Sequence, residues 1–247
     1  MFDTLVAQLP RFFTLETGYF LLLAAMRTVM MAAIGCGIGF FLAFVLVFLR
    51  TMPGPLWLPL RSAMIAYVEF FRRVPFLVLL FLVLFATKGF GFSLSLFTVA
   101  CVSVVILSVA FTSEIIRAGI ESVHQAQWDA AGTMNFTRLQ TLRYVIIPQA
   151  WKVILPPAFA FFITFIKETS LASQVGVVEL TQLSKYFNAT IGYSAILSFG
   201  SILVFYFLIC YPLTRFGWWM EARLDRARRT QAVAAEQRLL DLGRMGG

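Results

Sequence analysis

One polar stretch decides how this chain folds: residues Ala126–Pro148 read AQWDAAGTMNFTRLQTLRYVIIP, with a long apolar run on either side. The stretch is too polar for the interior of a bilayer, so it belongs at a membrane face. Its apolar residues recur at spacings of three to five, which predicts a helix with one apolar face over about residues 126–140. Small side chains at Ala130 and Ala131 let another backbone approach closely, so we expect a docking helix. The predicted apolar face comprises Trp128, Ala130, Ala131, Met134, Leu139, Leu142 and Val145.

The composition is that of an integral membrane protein. Of 247 residues, 60% are hydrophobic and 13% are charged, whereas soluble proteins are about half apolar and a quarter charged. No segment shows the alternating pattern of a lipid-spanning barrel strand, so we predict an all-α integral membrane protein. The net charge of +8 lies mostly in loops and the tail, which favours a membrane lipid surface over nucleic acid as the partner.

The apolar runs predict five transmembrane helices, because a helix needs about 20 residues to cross a bilayer. They form a transmembrane domain over residues 19–213, preceded by an external lead-in, residues 1–18. Residues 214–247 are predicted to be a basic cytoplasmic helical tail, either an anchor on lipid headgroups or a solvated helix. The predicted spans cover about residues 19–49, 56–87, 96–116, 154–171 and 194–213.

Glycine and proline positions add local expectations. Gly35 and Gly39 have the four-residue spacing of close helix packing, although glycine is also common in membrane helices generally. Val74-Pro75 predicts a break in the second span, because proline lacks a backbone donor and moves the preceding residue out of helical geometry. Met52-Pro53-Gly54-Pro55 predicts a sharp turn. The fourth span is expected to begin near Pro156-Pro157, since a first helical turn tolerates proline.

The sequence contains no pattern typical of a metal site or an enzyme. Cys36, Cys101 and Cys210 lie inside apolar runs without metal-ligand spacing and are interpreted as small hydrophobic residues. His124 is interpreted as a solvated residue at a helix end. Because no G-x4-G-K-[ST] phosphate loop is present, we expect no cofactor in this chain and no catalytic activity of its own.

The basic residues predict the orientation. With the N-terminus outside, thirteen basic residues lie in inner segments and three in outer ones, as the positive-inside rule requires. The docking helix and the tail are then cytoplasmic. The outer residues are Arg11, Lys88 and Lys185. The inner residues are Arg50, Arg61, Arg117, Arg138, Arg143, Lys152, Arg215, Arg223, Arg226, Arg228, Arg229, Arg238 and Arg244.

Two groups of polar residues interrupt the second and fourth spans. Glu69 to Pro75 reads EFFRRVP, and Lys167 to Ser170 reads KETS. Charge at membrane depth persists beside a cavity or other protein, so both groups are candidates for a polar pathway. Two alternatives stay open. Glu69 is one helical turn from Arg72 and Arg73 and pairs with either, and Lys167–Glu168 is an interfacial anchor at the outer end of its span.

The docking stretch resembles the E-A-A-x3-G-x9-I-x-L-P signature of the membrane subunits of bacterial ABC importers. The spacing is unchanged, although Asp replaces Glu, Asn replaces Gly, Val replaces Ile and Ile replaces Leu. The glycine exchange is mild, because asparagine tolerates left-handed backbone better than other non-glycine residues. The signature positions are Asp129, Ala130, Ala131, Asn135, Val145, Ile147 and Pro148.

Four segments in order resemble the polar amino acid permeases within that group. Glu69–Pro75 is similar to E-L-F-R-G-T-P, and Ser113–Ile120, reading SEIIRAGI, to S/A-E-I-x-R-G/A-G-I. Gln127–Ala130 is similar to the end of G-Q-x-E-A, and Lys167–Leu171 to K-D-T-S-L. The chain therefore resembles a permease subunit of the polar amino acid uptake family, and the likeness extends over about residues 20–215.

The resemblance implies the type I importer permease fold, with five transmembrane helices, the N-terminus outside and the C-terminus cytoplasmic, in the bacterial inner membrane. It implies three kinds of partner: a cytoplasmic ATPase dimer that holds ATP and Mg, a second permease of the same or a different sequence, and a periplasmic or lipid-anchored solute-binding protein. The residues expected to couple the chain to the ATPase are Gln127, Asp129, Ala130, Ala131, Asn135 and Pro148.

A polar amino acid leaving water needs a charged or dipolar partner at each end. Lys167 and Arg72 are candidates for its carboxylate, and Glu69 and Glu168 for its ammonium group. Thr169 and Ser170 add neutral hydrogen bonds. Two other functions remain as alternatives: a gradient-driven secondary transporter or channel without an ATPase, and a membrane scaffold without transport. A carrier explains charges at depth and leaves the Ala-Ala docking helix unexplained.

Overall fold

The structure, a computed structural model, describes the backbone of residues 2–51 and 54–245 and the side chains of residues 6–51, 54–224 and 226. The turn predicted at Met52-Pro53 lies outside the described residues, as do the side chains of Arg228, Arg229, Arg238 and Arg244. Throughout the described part, the regular elements are helical. They are α1 (Phe2–Phe12), α2 (Leu15–Arg50), α3 (Leu58–Phe71), α4 (Phe76–Gly89), α5 (Leu96–Glu121), α6 (Gln125–Thr133), α7 (Arg138–Gln140), α8 (Ile147–Glu168), α9 (Leu180–Tyr186) and α10 (Ala195–Met245).

Four stretches of helix are long and apolar enough to cross a membrane, and a bent pair makes a fifth. The bent pair is Pro55–Phe71 with Phe76–Gly89, whose axes differ by 116°. The break predicted at Val74-Pro75 is confirmed, and the residues between α3 and α4 form the corner. The four single spans are Leu15–Arg50, Leu96–Glu121, Arg138–Val175 and Ala195–Leu224.

Several boundaries differ from the sequence prediction. α2 begins before residue 19 because the Thr14 hydroxyl accepts a hydrogen bond from the Thr17 N–H and so caps the helix. Pro156 and Pro157 lie inside α8 instead of in its first turn, which is occupied by Pro148. α10 continues past residue 213 without a break, so the tail has no separate beginning.

α2 and α5 pack at a glycine seam. A Cβ atom on Gly35 would lie 2.4 Å from Val104 Cγ1, and one on Gly39 would lie 2.4 Å from Ser108 Cβ. A Cβ on Gly37 would meet no other atom within 4 Å. Gly35 and Gly39 therefore permit this close contact, and the predicted role of their four-residue spacing in helix packing is confirmed.

The core continues on both sides of the seam. α4, α5 and α8 share a large apolar cluster that includes Leu80, Val104 and Phe165. Nearer the C-terminal end of α2, Ala43 and Val47 pack with residues of α5 and α8. This end of the bundle also carries α6, so the Leu15 end of α2 lies at the opposite end of the molecule.

A buried carboxylate organises that opposite end. The side chain of Glu179, the N-cap residue of α9, is fully buried. It accepts hydrogen bonds of 2.9 Å from the backbone N–H groups of Thr181 and Gln182, which caps α9, and one of 3.2 Å from the Tyr206 hydroxyl on α10. Burial raises the pKa of the Glu179 carboxyl, while these hydrogen bonds act in the other direction.

Candidate functional site

α6 follows α5 after a turn of three residues, 122–124. The His124 side chain is exposed, and its Nδ1 accepts a hydrogen bond of 3.2 Å from the Ala126 N–H. His124 therefore caps the helix start, in agreement with its interpretation as a solvated helix-end residue. The end of α5 is fixed close to α8, because a Cβ on Gly119 would lie 2.3 Å from Ile154 Cγ1.

The helix predicted over about residues 126–140 is interrupted. α6 ends at Thr133, and Asn135 follows in left-handed backbone with φ 59°. The Phe136 N–H donates to the Ala131 carbonyl at 3.1 Å and the Asn135 N–H to the Gly132 carbonyl at 3.0 Å, the pattern of a Schellman C-cap. Asn135 thus stands where left-handed backbone is required, which agrees with the expectation that asparagine is a mild replacement for glycine at this position.

A second helical start follows at once. The Thr137 hydroxyl accepts from the Gln140 N–H at 3.4 Å, while the Gln140 side-chain oxygen accepts from the Thr137 N–H at 2.8 Å. This reciprocal capping box begins α7 and the π-helical turn Thr141–Ile146 that leads into α8. The spacing of the apolar residues predicts one continuous helix, because that spacing contains no information on where helix caps interrupt it.

The predicted apolar face is mostly unburied. On α6 only Ala131, 1% exposed, is buried against the chain, whereas Ala130 is exposed. Met134 and Leu139 are 66% and 58% exposed. α6 therefore buries one alanine fully against its own chain and leaves Ala130 accessible.

The other predicted coupling residues lie on or beside the same surface. Asp129 is exposed, and its Oδ1 accepts from Gln125 Nε2 at 3.1 Å. Gln127 Oε1 accepts at 3.2 Å from Gln149 Nε2, which also donates to the Val145 carbonyl at 2.9 Å. The glutamine pair fastens α6 to α8, and exposed Pro148 sits in the first turn of α8.

A charged cluster joins three parts of the bundle near this end. Glu114 on α5 contacts Arg50 at the end of α2 (3.2 Å), Arg117 one turn further along α5 (2.9 Å) and Arg72 at the α3–α4 corner (3.8 Å). The Glu114 side chain is 17% exposed. One carboxylate facing three guanidinium groups holds the corner against α2 and α5.

Sequence reasoning did not select Glu114 or Arg50 as functional residues. The signal was present, because Glu114 and Arg117 stand in the segment Ser113–Ile120 that carries the resemblance. Arg50 ends the first apolar run, and only the tertiary structure brings it to Glu114.

The two predicted substrate residues of the second span, Glu69 and Arg72, contact different partners at the α3–α4 corner. Glu69 contacts Arg73, and both side chains are exposed, so one of the two open pairings is observed. Arg72 turns towards Glu114 instead, and its Cζ lies 5.9 Å from the centre of the Phe111 ring.

The predicted substrate residues of the fourth span lie further along α8. Phe161 packs on Phe111, so it marks the level of Arg72. Lys167 is six residues beyond Phe161, about 9 Å along the helix axis. Lys167 is exposed, Glu168 and Ser170 are half-buried, and buried Thr169 donates its hydroxyl to the Ile166 carbonyl at 2.8 Å. No hydrogen bond or ion pair among the described side chains joins the two groups.

Comparison with known proteins gives a consistent family. The family described as "Binding-protein-dependent transport system inner membrane component" matches residues 38–226. The chain is 38% identical over 168 residues to the L-cystine transport system permease protein TcyB of Bacillus subtilis (strain 168), covering 68% of this chain and 72% of that one. It is 31% identical over 192 residues to the glutamine transport system permease protein GlnP of Escherichia coli (strain K12), covering 77% and 86%.

Solved structures show the same fold. A crystal structure of an amino acid ABC transporter with histidines superposes with a TM-score of 0.77 at 27% identity, over 84% of this chain and 95% of that one. An inward-facing structure of the MetNI methionine ABC transporter superposes with a TM-score of 0.72 at 23% identity, over 85% and 99%, and supports the fold alone.

The type I importer permease fold is therefore confirmed, and the chain is a multi-pass membrane protein. Its sequence relatives are named as transport permeases and not as enzymes. The chain belongs to the binding-protein-dependent transport system inner membrane component family, and its resemblance to permease subunits of amino acid ABC importers is confirmed.

Proposed function

We propose that this chain is the transmembrane permease subunit of an ATP-driven importer for a polar amino acid in the bacterial inner membrane. The N-terminus lies outside and α6 and the C-terminus lie in the cytoplasm, the orientation that the basic residues favour. The named substrates of the relatives, L-cystine and glutamine, support the substrate class. The observation that carries the proposal is α6 itself, a short capped helix with exposed Ala130 and Asp129 and only one buried residue.

In this proposal α6 docks into a cytoplasmic ATPase dimer, which holds ATP and Mg. Ala130 permits close approach, and the Asp129 carboxylate pairs with a basic residue of the ATPase. Movement of α6 reaches α5 through the short turn at residues 122–124 and α8 through the Gln127–Gln149 hydrogen bond. A nearly complete switch between two states requires about 5 kcal/mol of differential binding, which nucleotide-driven closure of the ATPase dimer supplies.

The pathway forms with a second permease, of the same or a different sequence, and receives its substrate from a periplasmic or lipid-anchored solute-binding protein. Arg72 and Lys167 bind the amino acid carboxylate, Glu69 and Glu168 its ammonium group, and Thr169 and Ser170 its remaining polar atoms. The group at Glu69 and Arg72 and the group at residues 167–170 are about 9 Å apart along the axis of α8. They therefore bind the substrate at successive positions along the pathway. The Thr169 hydroxyl donates to the Ile166 carbonyl, so it takes part as an acceptor for an N–H group of the substrate.

The decisive experiment is uptake by the complete importer in proteoliposomes with Ala130→Glu, which places a charge on the exposed face of α6. We expect membrane insertion to persist and ATP-driven uptake to fall at least about tenfold, a loss of about 1.4 kcal/mol in coupling. Ala130→Ser is the matched control and should retain uptake. Ala131→Glu is unsuitable, because Ala131 is buried and a charge there would disturb the fold.

The competing gradient-driven function makes the opposite prediction. A secondary transporter would take up the amino acid from an ion gradient without ATP or an ATPase subunit, and Ala130→Glu would leave that uptake unchanged. Either result would overturn the proposed function.

A further inference from the structure

A cavity with a mixed polar and apolar lining lies at the end of the molecule opposite α6. It lies between the α1–α2 corner and α9, is open on one side, and has a volume of about 650 Å³. Arg11 and Glu16 lie on its α1–α2 side, and Gln182 and Tyr186 on its α9 side. Neither the docking surface nor any of the predicted substrate residues takes part in this cavity. Its size falls within the range of small-molecule sites.

The walls of the cavity are held by hydrogen bonds between distant parts of the chain. The Tyr193 hydroxyl donates to the Arg11 carbonyl at 2.8 Å. The Gln8 amide donates to the Gly192 carbonyl at 3.3 Å and accepts from the Ser194 N–H at 2.8 Å. Aromatic packing of Phe12 on Phe187 and Tyr193 closes the base. The cavity is therefore built by tertiary contacts and is not a gap beside a loose terminus.

Two opposite charges border this cavity, Arg11 in the last turn of α1 and Glu16 in the first turn of α2. Arg11 and Glu16 are both exposed, and neither side chain makes an ion pair or hydrogen bond among the described residues. They do not pair with each other, although they are five positions apart across the α1–α2 corner. The Gln182 side chain is likewise uncommitted within the described structure, since only its backbone N–H is used, in the α9 cap.

We propose that this cavity binds the zwitterionic head of an α-amino acid before it enters the pathway. Arg11 binds the carboxylate, Glu16 binds the ammonium group, and Gln182 with the rings of Tyr186 and Tyr193 contacts the side chain. The amino acid is the appropriate occupant because its two charges match the two unpaired charges of the cavity. The choice of ligand rests on the proposed import of an amino acid, while the cavity is separate from the residues proposed for the pathway.

A phospholipid with an ethanolamine headgroup carries the same pair of charges and is the competing occupant. It would place long acyl chains against the site. The cavity lining is instead mixed, with Thr14, Thr17 and Gln182 beside the aromatic rings. We therefore assign the amino acid, and the experiment separates the two sources.

The test measures maleimide labelling of Ile191→Cys, a cavity-lining position whose side chain carries no polar group of the site. The complete importer is placed in nanodiscs of phosphatidylglycerol, in a Cys210→Ser background, because Cys36 and Cys101 are buried. The probes are the protein amino acids other than cysteine, each at millimolar concentration, because a free thiol consumes maleimide and a disulfide such as L-cystine exchanges with the engineered thiol. At about four times its dissociation constant, a bound amino acid should slow labelling about fivefold. Lys88→Cys, exposed and outside the cavity, should be unaffected.

Charge-neutral variants identify the residues. Arg11→Gln and Glu16→Gln should each abolish the protection, Arg11→Lys should restore part of it, and N-acetylated or amidated forms of the protecting amino acid should fail to protect. The inference is overturned if no amino acid slows labelling, or if protection survives both neutral variants. It is also overturned if phosphatidylethanolamine in the nanodisc slows labelling and amino acids add nothing.

Uptake by the same importer variants, reconstituted in proteoliposomes, separates this inference from the proposed function. Intact ATP-driven uptake without protection overturns the cavity proposal alone. Protection without ATP-driven uptake overturns the importer proposal and leaves an amino acid site on this surface.

Discussion

Asn135 fixes the point at which α6 ends. Its backbone adopts φ 59°, a region in which a Cβ is crowded and which asparagine tolerates better than most residues. The two hydrogen bonds of the Schellman cap depend on this conformation. They end α6, and the chain then continues to Thr137. The conformation of a single residue thus separates α6 from the start of the next helix.

The effect of replacing Asn135 on the free energy of unfolding should depend on how well the new residue tolerates positive φ. Asn135→Gly should leave the free energy of unfolding unchanged or slightly higher, whereas Asn135→Val should lower it by about 1–2 kcal/mol, since a β-branched residue resists positive φ. Thermal unfolding of the purified chain in detergent measures both. Equal melting temperatures for the valine and glycine variants would contradict the role assigned to the cap.

Glu114 pairs with three arginine side chains at the α6 end of the bundle. Glu114→Gln leaves Arg50, Arg72 and Arg117 close together without their carboxylate. We expect the free energy of unfolding to fall by about 1–2 kcal/mol, a value that allows for solvent screening of the two half-exposed arginines. The melting temperature should fall by about 2–4 °C for each kcal/mol.

Glu121→Gln is the matched control for that experiment. Glu121 also contacts Arg117, but its side chain is 60% exposed, so its loss should change stability by less than about 0.5 kcal/mol. An equal loss for both variants would mean that burial and the contacts with Arg50 and Arg72 add nothing.

At the scale of elements, the glycine seam sets the distance between α2 and α5. Gly39→Ala would place a Cβ within 2.4 Å of Ser108 Cβ, so the helices must separate, and overpacking of this kind costs about 1–3 kcal/mol. Gly37→Ala meets nothing within 4 Å and should be neutral or stabilising by about 0.5–1 kcal/mol. Unfolding in denaturant compares the two variants, and the interpretation of the seam is wrong if their effects are alike.

The corner between α3 and α4 shows how one element depends on another. Pro75 ends the helix locally, while the contact of Arg72 with Glu114 holds the corner against α5. The break is a property of the dipeptide Val74-Pro75 and is visible in the sequence. The direction taken after the break depends on contacts with residues about forty positions away.

For the whole molecule, the orientation in the membrane is the property to test. In spheroplasts, an impermeant maleimide should label Lys88→Cys without permeabilisation and Thr133→Cys only after it, because the first position is proposed to be external and the second cytoplasmic. Both side chains are exposed, so access to the reagent and not burial decides the result. The reverse pattern would place α6 outside and exclude coupling to a cytoplasmic ATPase.

The sequence by itself determined the class, the family and the position of the polar segment that contains α6. Hydrophobic length, the Val74-Pro75 break and the Asp129–Pro148 signature are local patterns. Each depends on residues that are close together in the sequence, so it can be recognised without the tertiary structure. The sequence prediction makes α6 too long because periodicity carries no information on helix caps. It begins the fourth span too late because Pro156 and Pro157 are typical of a first helical turn, whereas they lie inside α8.

Only the tertiary structure decided which alanine of the pair faces outward, which carboxylate meets Arg50, and that Arg11 and Glu16 border one cavity. Each of these depends on the angle at which separate helices meet, and that angle follows from packing at sites such as Gly35 and Gly39. Residues that are far apart in the chain become neighbours through these contacts. The physical reason is that burial and pairing depend on distance in space, whereas a sequence pattern records only separation along the chain.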